Sequence, residues 1–258
     1  MTTPKQLELR DRERRILKTA LPLVADAGLN GLSMEAVARK ISYTRGTVYN
    51  HFKNKEEILL ALAVQASSTR LAMFQHAVEL STRTRDQMSG VGVACEDFVA
   101  RFPGLFRVES IVRSEAVWKK TTPARRNLMQ TCERDCFNLL GRVIENAITA
   151  GDLTLPRGVQ PPDVLMALWS LTYGGFNIAA SSPDLAKVGL TDPAATIRRN
   201  CSALMDGYDW QPLYDATSFN RLRRRVLASL AKNISEPVDD ASDASASIDH
   251  SRITEAQS

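Results

Sequence analysis

Residues 43–52 read YTRGTVYNHF, with an arginine, a histidine, an asparagine, two threonines and no acid. Val48 and Phe52 are four apart, so on a helix they share one face and can pack inward. Thr44 is the expected cap of that helix. A helix that reads DNA in the major groove needs polar side chains in its first turns, where they meet base edges. It also needs donors that hold the phosphates and set the register. Arg45 can pair bidentately with guanine, and Thr47 can meet a base edge or a thymine methyl. Gly46 leaves room for the backbone to approach a duplex. Tyr49 and His51 can donate to phosphate oxygens, and Lys55 places a charge beside the free amides that start the next helix. A plain surface helix with an aromatic patch accounts for Tyr49 or His51 singly, but not for the whole arrangement.

The flanks are helical too. In RRILKTALPLVADAG, Ile16, Ala20, Leu23, Val24 and Ala27 make one apolar stripe at the helical period. Gly28 and Asn30-Gly31 are its stop signals. Ser33 can cap the segment MEAVARKI, with Ala36, Val37 and Ile41 facing inward. Asn54 can cap a long helix from about Lys55 to Ser81. Three helices with short turns between them make a compact unit, and residues 33–52 read as helix, turn, helix. Further helices are expected over 88–101, 104–119, 123–150, 163–180, 193–206 and 218–232. The stretch GDLTLPRGVQPPD reads as a loop by its Gly and Pro content. There is no internal repeat and no βαβ alternation, so the expected class is all-α.

The 258 residues are 44% hydrophobic and 24% charged, an ordinary globular balance. No apolar run approaches the roughly 18 residues of a membrane span, and MTTPKQLELRDRERR has no apolar signal region. Four cysteines in this length make no disulfide framework, so a cytoplasmic protein is expected. The charge is uneven: residues 1–55 hold eleven Lys/Arg against five Asp/Glu, while residues 233–258 hold six acids against Arg252. A cationic first segment fits a polyanionic partner such as nucleic acid. The last segment, rich in Ser, Asp and Ala, is expected to be a disordered acidic tail.

On these residues the chain resembles the TetR-type (TetR/AcrR) transcriptional regulators. The resemblance runs from about Arg14 to Leu60 and is most specific over RGTVYNHFKNKEEIL. It implies an N-terminal three-helix helix-turn-helix DNA-binding domain over 1–54. A larger helical ligand-binding and dimerisation domain over 55–232 would follow, with the tail over 233–258. By matching positions, Ser33, Thr44, Tyr49, His51 and Lys55 resemble phosphate contacts, and Arg45, Gly46, Thr47 and Asn50 resemble base-facing positions. The chain departs from the family in two places. Ser42 stands where the turn usually has glycine, and a positive φ there costs on the order of 1 kcal/mol. Pro22 lies inside the first helix, where a kink near Leu21 is expected.

The resemblance also implies a homodimer on a palindromic double-stranded DNA operator, released by a small-molecule effector, with no membrane and no cofactor. Phe98, Phe102, Phe106, Trp118, Trp169, Tyr173 and Phe176 are the candidates to line an effector cavity, though each is also an ordinary core residue. The apolar segment VLMALWSLTYGGFNIAA, with the helix at 193–206, is the candidate dimer interface. Cys132 and Cys136 share a helix face, but no cluster around them points to a metal. An enzyme is not expected, because phosphate-loop, nucleophile-elbow and zinc-protease motifs are missing from the sequence. A helical protein-interaction adaptor with nonspecific nucleic-acid affinity is the alternative; it explains the helices but not the Arg45–Lys55 arrangement.

Overall fold

A computed structural model describes residues 3–113, 115–182 and 184–234. The expected tail over 233–258 lies outside the described residues beyond Ile234. Every regular element among the described residues is helical, as the apolar periodicity predicts. The helices are α1 (Pro4–Gly31), α2 (Met34–Lys40), α3 (Arg45–His51), α4 (Lys55–Glu79), α5 (Thr84–Arg101), α6 (Pro103–Val112) and α7 (Glu115–Lys119). There follow α8 (Pro123–Ala150), α9 (Pro161–Trp169), α10 (Gly175–Ser181), α11 (Pro193–Gly207) and α12 (Ala216–Asn233).

Three boundaries are set by side chains that the sequence marks. Ser33 Oγ accepts from Ala36 N at 3.1 Å, Thr44 Oγ1 from Thr47 N at 3.1 Å, and Asn54 Oδ1 from Glu57 N at 2.9 Å. Each satisfies one amide that has no intrahelical partner. Within α1 the non-helical residue is Gly28, at φ 62° and ψ −153°, rather than a residue beside Pro22. A backbone needing positive φ puts its break at the residue without a Cβ.

The later helices differ from expectation in two places. The segment expected as one helix over 104–119 is α6 and α7, with helical hydrogen bonding closing at Arg113. The segment over 163–180 is interrupted by a wider π turn over Ser170–Gly174. Thr172 Oγ1 donates to the carbonyls of Leu168 and Trp169 there, at 2.9 and 3.1 Å. A short 3₁₀ turn at Leu185–Val188 was not expected.

The described residues form two compact units. The first holds residues up to Thr69 together with Phe102–Glu133, and the second holds Arg70–Arg101 with Arg134–Ile234. The packing divides within α4, between α5 and α6, and within α8. Ile58, Leu59 and Leu62 of α4, Val108 and Val112 of α6, and Met129 of α8 share one core with Ile16, Val24, Val37, Val48 and Phe52. The second unit is built on Met88, Val143, Ile144, Val164, Leu168, Met205 and Trp210. Buried Arg85 donates to the carbonyls of Trp210 and Ser202 and pairs with Asp206. Gly175 faces Ile197 across α10 and α11, where a Cβ would stand 2.7 Å from Ile197 Cγ1.

By length and composition α4 is apolar enough to cross a membrane, which the sequence reading did not pick out, and most of it is buried. That burial is what a core helix requires, since a helix apolar nearly all round must cover its surface.

Candidate nucleic-acid interface

The helix-turn-helix is joined by a turn of defined chemistry. Tyr43 N donates to Ala38 O at 3.0 Å and Ser42 N to Arg39 O at 3.4 Å. These are the two bonds of a Schellman C-cap, and Ser42 occupies its left-handed position at φ 56°. The positive φ of this turn is therefore carried by serine. Tyr43 Oη accepts from Arg15 Nη1 at 3.2 Å, which ties the turn to α1. That hydrogen bond is the main cause holding the fully exposed Arg15 guanidinium above its ordinary pKa.

The α3 helix is pinned by its apolar face and open on the other. Val48 is 0% and Phe52 1% exposed, each a burial worth about 1.5–3 kcal/mol. Arg45, Gly46, Tyr49 and Asn50 are exposed, as is the cap Thr44, while Thr47 is half-buried. Thr44 Oγ1 and Thr47 Oγ1 share a hydrogen bond of 2.9 Å. Seven short residues thus present a cation, an amide, hydroxyls and a bare glycine backbone from one side of an anchored helix.

Ser33, His51 and Lys55 are half-buried around it. Burial is the largest cause lowering the His51 pKa below 6.5; Glu13 opposes it, and Arg12 and Arg125 add to it. A neutral imidazole still donates one N–H to a phosphate oxygen. Lys55 Nζ donates to Leu29 O at 3.0 Å, so part of its donor capacity is already used.

Two features of the site are not visible in sequence spacing. Arg45 Nη2 is ion-paired with Glu35 Oε1 on α2, with both side chains well exposed. Arg125, at the start of α8, pairs with Glu13 and Glu57 and covers the Phe52 ring. No local period links either partner to residues 43–52.

Residues 16–62 match the family model described as bacterial regulatory proteins, tetR family. The match holds α2, α3 and the start of α4, and it includes the anchored helix-turn-helix. Over this segment the chain is similar to the TetR family. Among relatives, the transcriptional regulator UidR of Escherichia coli K12 is 31% identical over 74 residues, 29% of this chain and 38% of that protein. The chain thus spans less than half the length of that relative. The regulator SrpR of Pseudomonas putida is 25% identical over 203 residues, 74% of this chain and 87% of that protein. The structure of a SmeT–triclosan complex is similar at TM-score 0.60 and 21% identity, covering 80% of this chain and 95% of that one. That likeness extends the shared fold well past the helix-turn-helix.

The aromatic residues expected around an effector fall in both units. Phe102, Phe106 and Trp118 belong to the first unit, and Trp118 packs on its core. Phe98, Trp169, Tyr173 and Phe176 belong to the second. Within it Trp169 meets Phe137 edge-on at 5.3 Å and Tyr173 at 6.0 Å. A cleft of about 180 Å³ in the second unit is lined by Ala195, Arg198, Arg199, Ser202, Tyr214, Phe219 and Asn220, none of them an expected effector residue. Burial pushes the Cys201 thiol up to about 11, which leaves little thiolate for redox chemistry.

Proposed function

We propose that the protein is a sequence-specific DNA-binding transcriptional regulator, a homodimeric repressor that binds a palindromic operator and is released by a small molecule. The observation that carries the reading is α3 itself. Its apolar face is locked by Val48 and Phe52, and the opposite face offers Arg45, Gly46, Tyr49 and Asn50 to solvent.

In this mechanism Arg45 forks to a guanine edge, and Thr47 and Asn50 meet neighbouring bases with Gly46 close to the duplex. Ser33, Thr44, Tyr49, His51 and Lys55 hold phosphates and set the register. Arg45 must leave Glu35 to reach a base, which costs little because an exposed ion pair is worth about 0–1 kcal/mol. Lys55 must exchange Leu29 O for a phosphate. Two protomers, paired through α9 to α11, would place two recognition helices on half-sites one helical turn apart.

The effector binds among the helices after residue 55, with Phe98, Phe102, Phe106, Trp118, Trp169, Tyr173 and Phe176 as its proposed contacts. A triclosan complex of the structurally similar SmeT supports an aromatic, largely apolar ligand. It acts through unequal affinity for the DNA-fitting and non-fitting conformations.

Arg45→Ala tests the reading. It should weaken binding to the preferred duplex by about 1–3 kcal/mol and blur the preference at one base position. Lys55→Ala should weaken all duplexes alike. An unchanged base preference in Arg45→Ala would remove Arg45 from the base-reading set.

A further inference from the structure

Arg125 lies where three elements of the first unit meet. Its Nε donates to Glu57 Oε2 at 2.7 Å, and its Nη2 donates to Glu13 Oε1 at 3.0 Å. Its guanidinium carbon sits 4.6 Å from the centroid of the Phe52 ring, within cation–π range. Glu57 is 3% and Phe52 1% exposed, so most of this cluster is out of water. Glu57 also accepts from Thr122 N through its other oxygen. Beside it, Asn54 Nδ2 donates to Lys120 O at 2.9 Å, and Lys120 Nζ pairs with Glu56 at 3.1 Å. The turn before α8 is therefore laced to the turn before α4, and Arg125 reaches through to α1 and to the residue that closes α3.

Phe52 is that closing residue, since its N–H donates to Val48 O at 3.0 Å. A planar cation between two carboxylates over this ring fixes where the C-terminal end of α3 can sit. Removing the cation would leave buried Glu57 without its charge partner, the costly direction for a buried pair. The helix that carries Arg125 is 28 residues long and continues past Glu133, with Val143, Ile144 and Ala147 in the core of the second unit.

We propose that Arg125 is a positioning residue for DNA reading, holding the C-terminal end of α3 from the start of α8. This rests on the DNA-reading role argued above. The link is a shared cluster of two acids, one guanidinium and one ring, not a contact with DNA.

The test compares wild type, Arg125→Gln, Glu13→Gln and the double variant. Each is measured on the duplex enriched by wild type from a random pool and on a random duplex, across a salt series, with a melting curve for each protein. Glu13→Gln removes one leg of the cluster at a half-exposed acid, so it keeps the test alive if Arg125→Gln does not fold. Either single change should weaken the enriched duplex about tenfold, the scale of one coupled pair. The double should be no weaker than Arg125→Gln, with random-duplex affinity and salt slope unchanged. Equal weakening on both duplexes, with the slope shallower by about 0.9, would make Arg125 a phosphate contact and overturn the proposal. Lower melting with unchanged selectivity, or additive losses in the double, would also overturn it. A wild-type protein that enriches no duplex would sink the DNA-reading role itself, a result distinct from these.

Discussion

Ser42→Gly should stabilise the protein, and its size follows from the turn. Ser42 sits at φ 56° in the left-handed position of a Schellman cap. An L-residue there costs about 1–2 kcal/mol because Cβ crowds the following carbonyl. Glycine removes that crowding but adds back about 0.5–1 kcal/mol of unfolded-chain entropy. The two cap bonds, Tyr43 N to Ala38 O and Ser42 N to Arg39 O, use backbone atoms and survive the change. The balance is a gain of about 0.5–1 kcal/mol, or roughly 1–4 °C in melting temperature for a chain of this size. Circular-dichroism melts of wild type, Ser42→Gly and Ser42→Ala read it directly. Ser42→Ala keeps the Cβ and should show no gain. If alanine stabilised as much as glycine, the Cβ argument would be wrong and the hydroxyl would be the source of the cost.

Three further outcomes are expected. Burial lowers the His51 pKa below 6.5, so the unfolded chain takes up that proton first as pH falls. The stability contributed by neutral His51 is therefore present above about 6.5 and lost as pH drops toward the folded value. His51→Gln should flatten that part of a melting-temperature profile, and an unchanged profile would rule His51 out as its source. Gly175→Ala places a Cβ 2.7 Å from Ile197 Cγ1 and should cost about 1–3 kcal/mol by overpacking. Urea unfolding should show that penalty vanish in an Ile197→Ala background. Glu35→Gln releases Arg45 from its exposed ion pair, so binding to the enriched duplex should tighten by up to about 1 kcal/mol. A fluorescence-anisotropy titration showing no change would mean that Glu35 does not restrain Arg45.

What the sequence made legible was local. Ser33, Thr44 and Asn54 each bond an amide three residues on, so their caps can be read from a few positions. The inward pair Val48 and Phe52 follows from a four-residue spacing, and the left-handed Ser42 from the one position where the family usually has glycine. What was hidden is long-range or degenerate. Arg125 and Glu13 are 112 positions apart, and nothing near either predicts the other. Both Pro22 and Gly28 can interrupt a helix, and only the backbone tells that Gly28 does so. The π turn at Ser170–Gly174 has no apolar period of its own, so the segment reads as one continuous helix. Residue type marked Trp118, Trp169 and Tyr173 as large and apolar, but not which unit each packs in.

The measurement that bears most directly on the whole account is selection of duplexes from a random pool by the purified protein, followed by sequencing of what it retains. An enriched inverted repeat, with half-sites about 10 base pairs apart, is the result expected of paired recognition helices. Retention without enrichment, lost as salt rises toward about 200 mM, would contradict sequence reading by α3 and leave a basic helical protein that binds DNA only through charge.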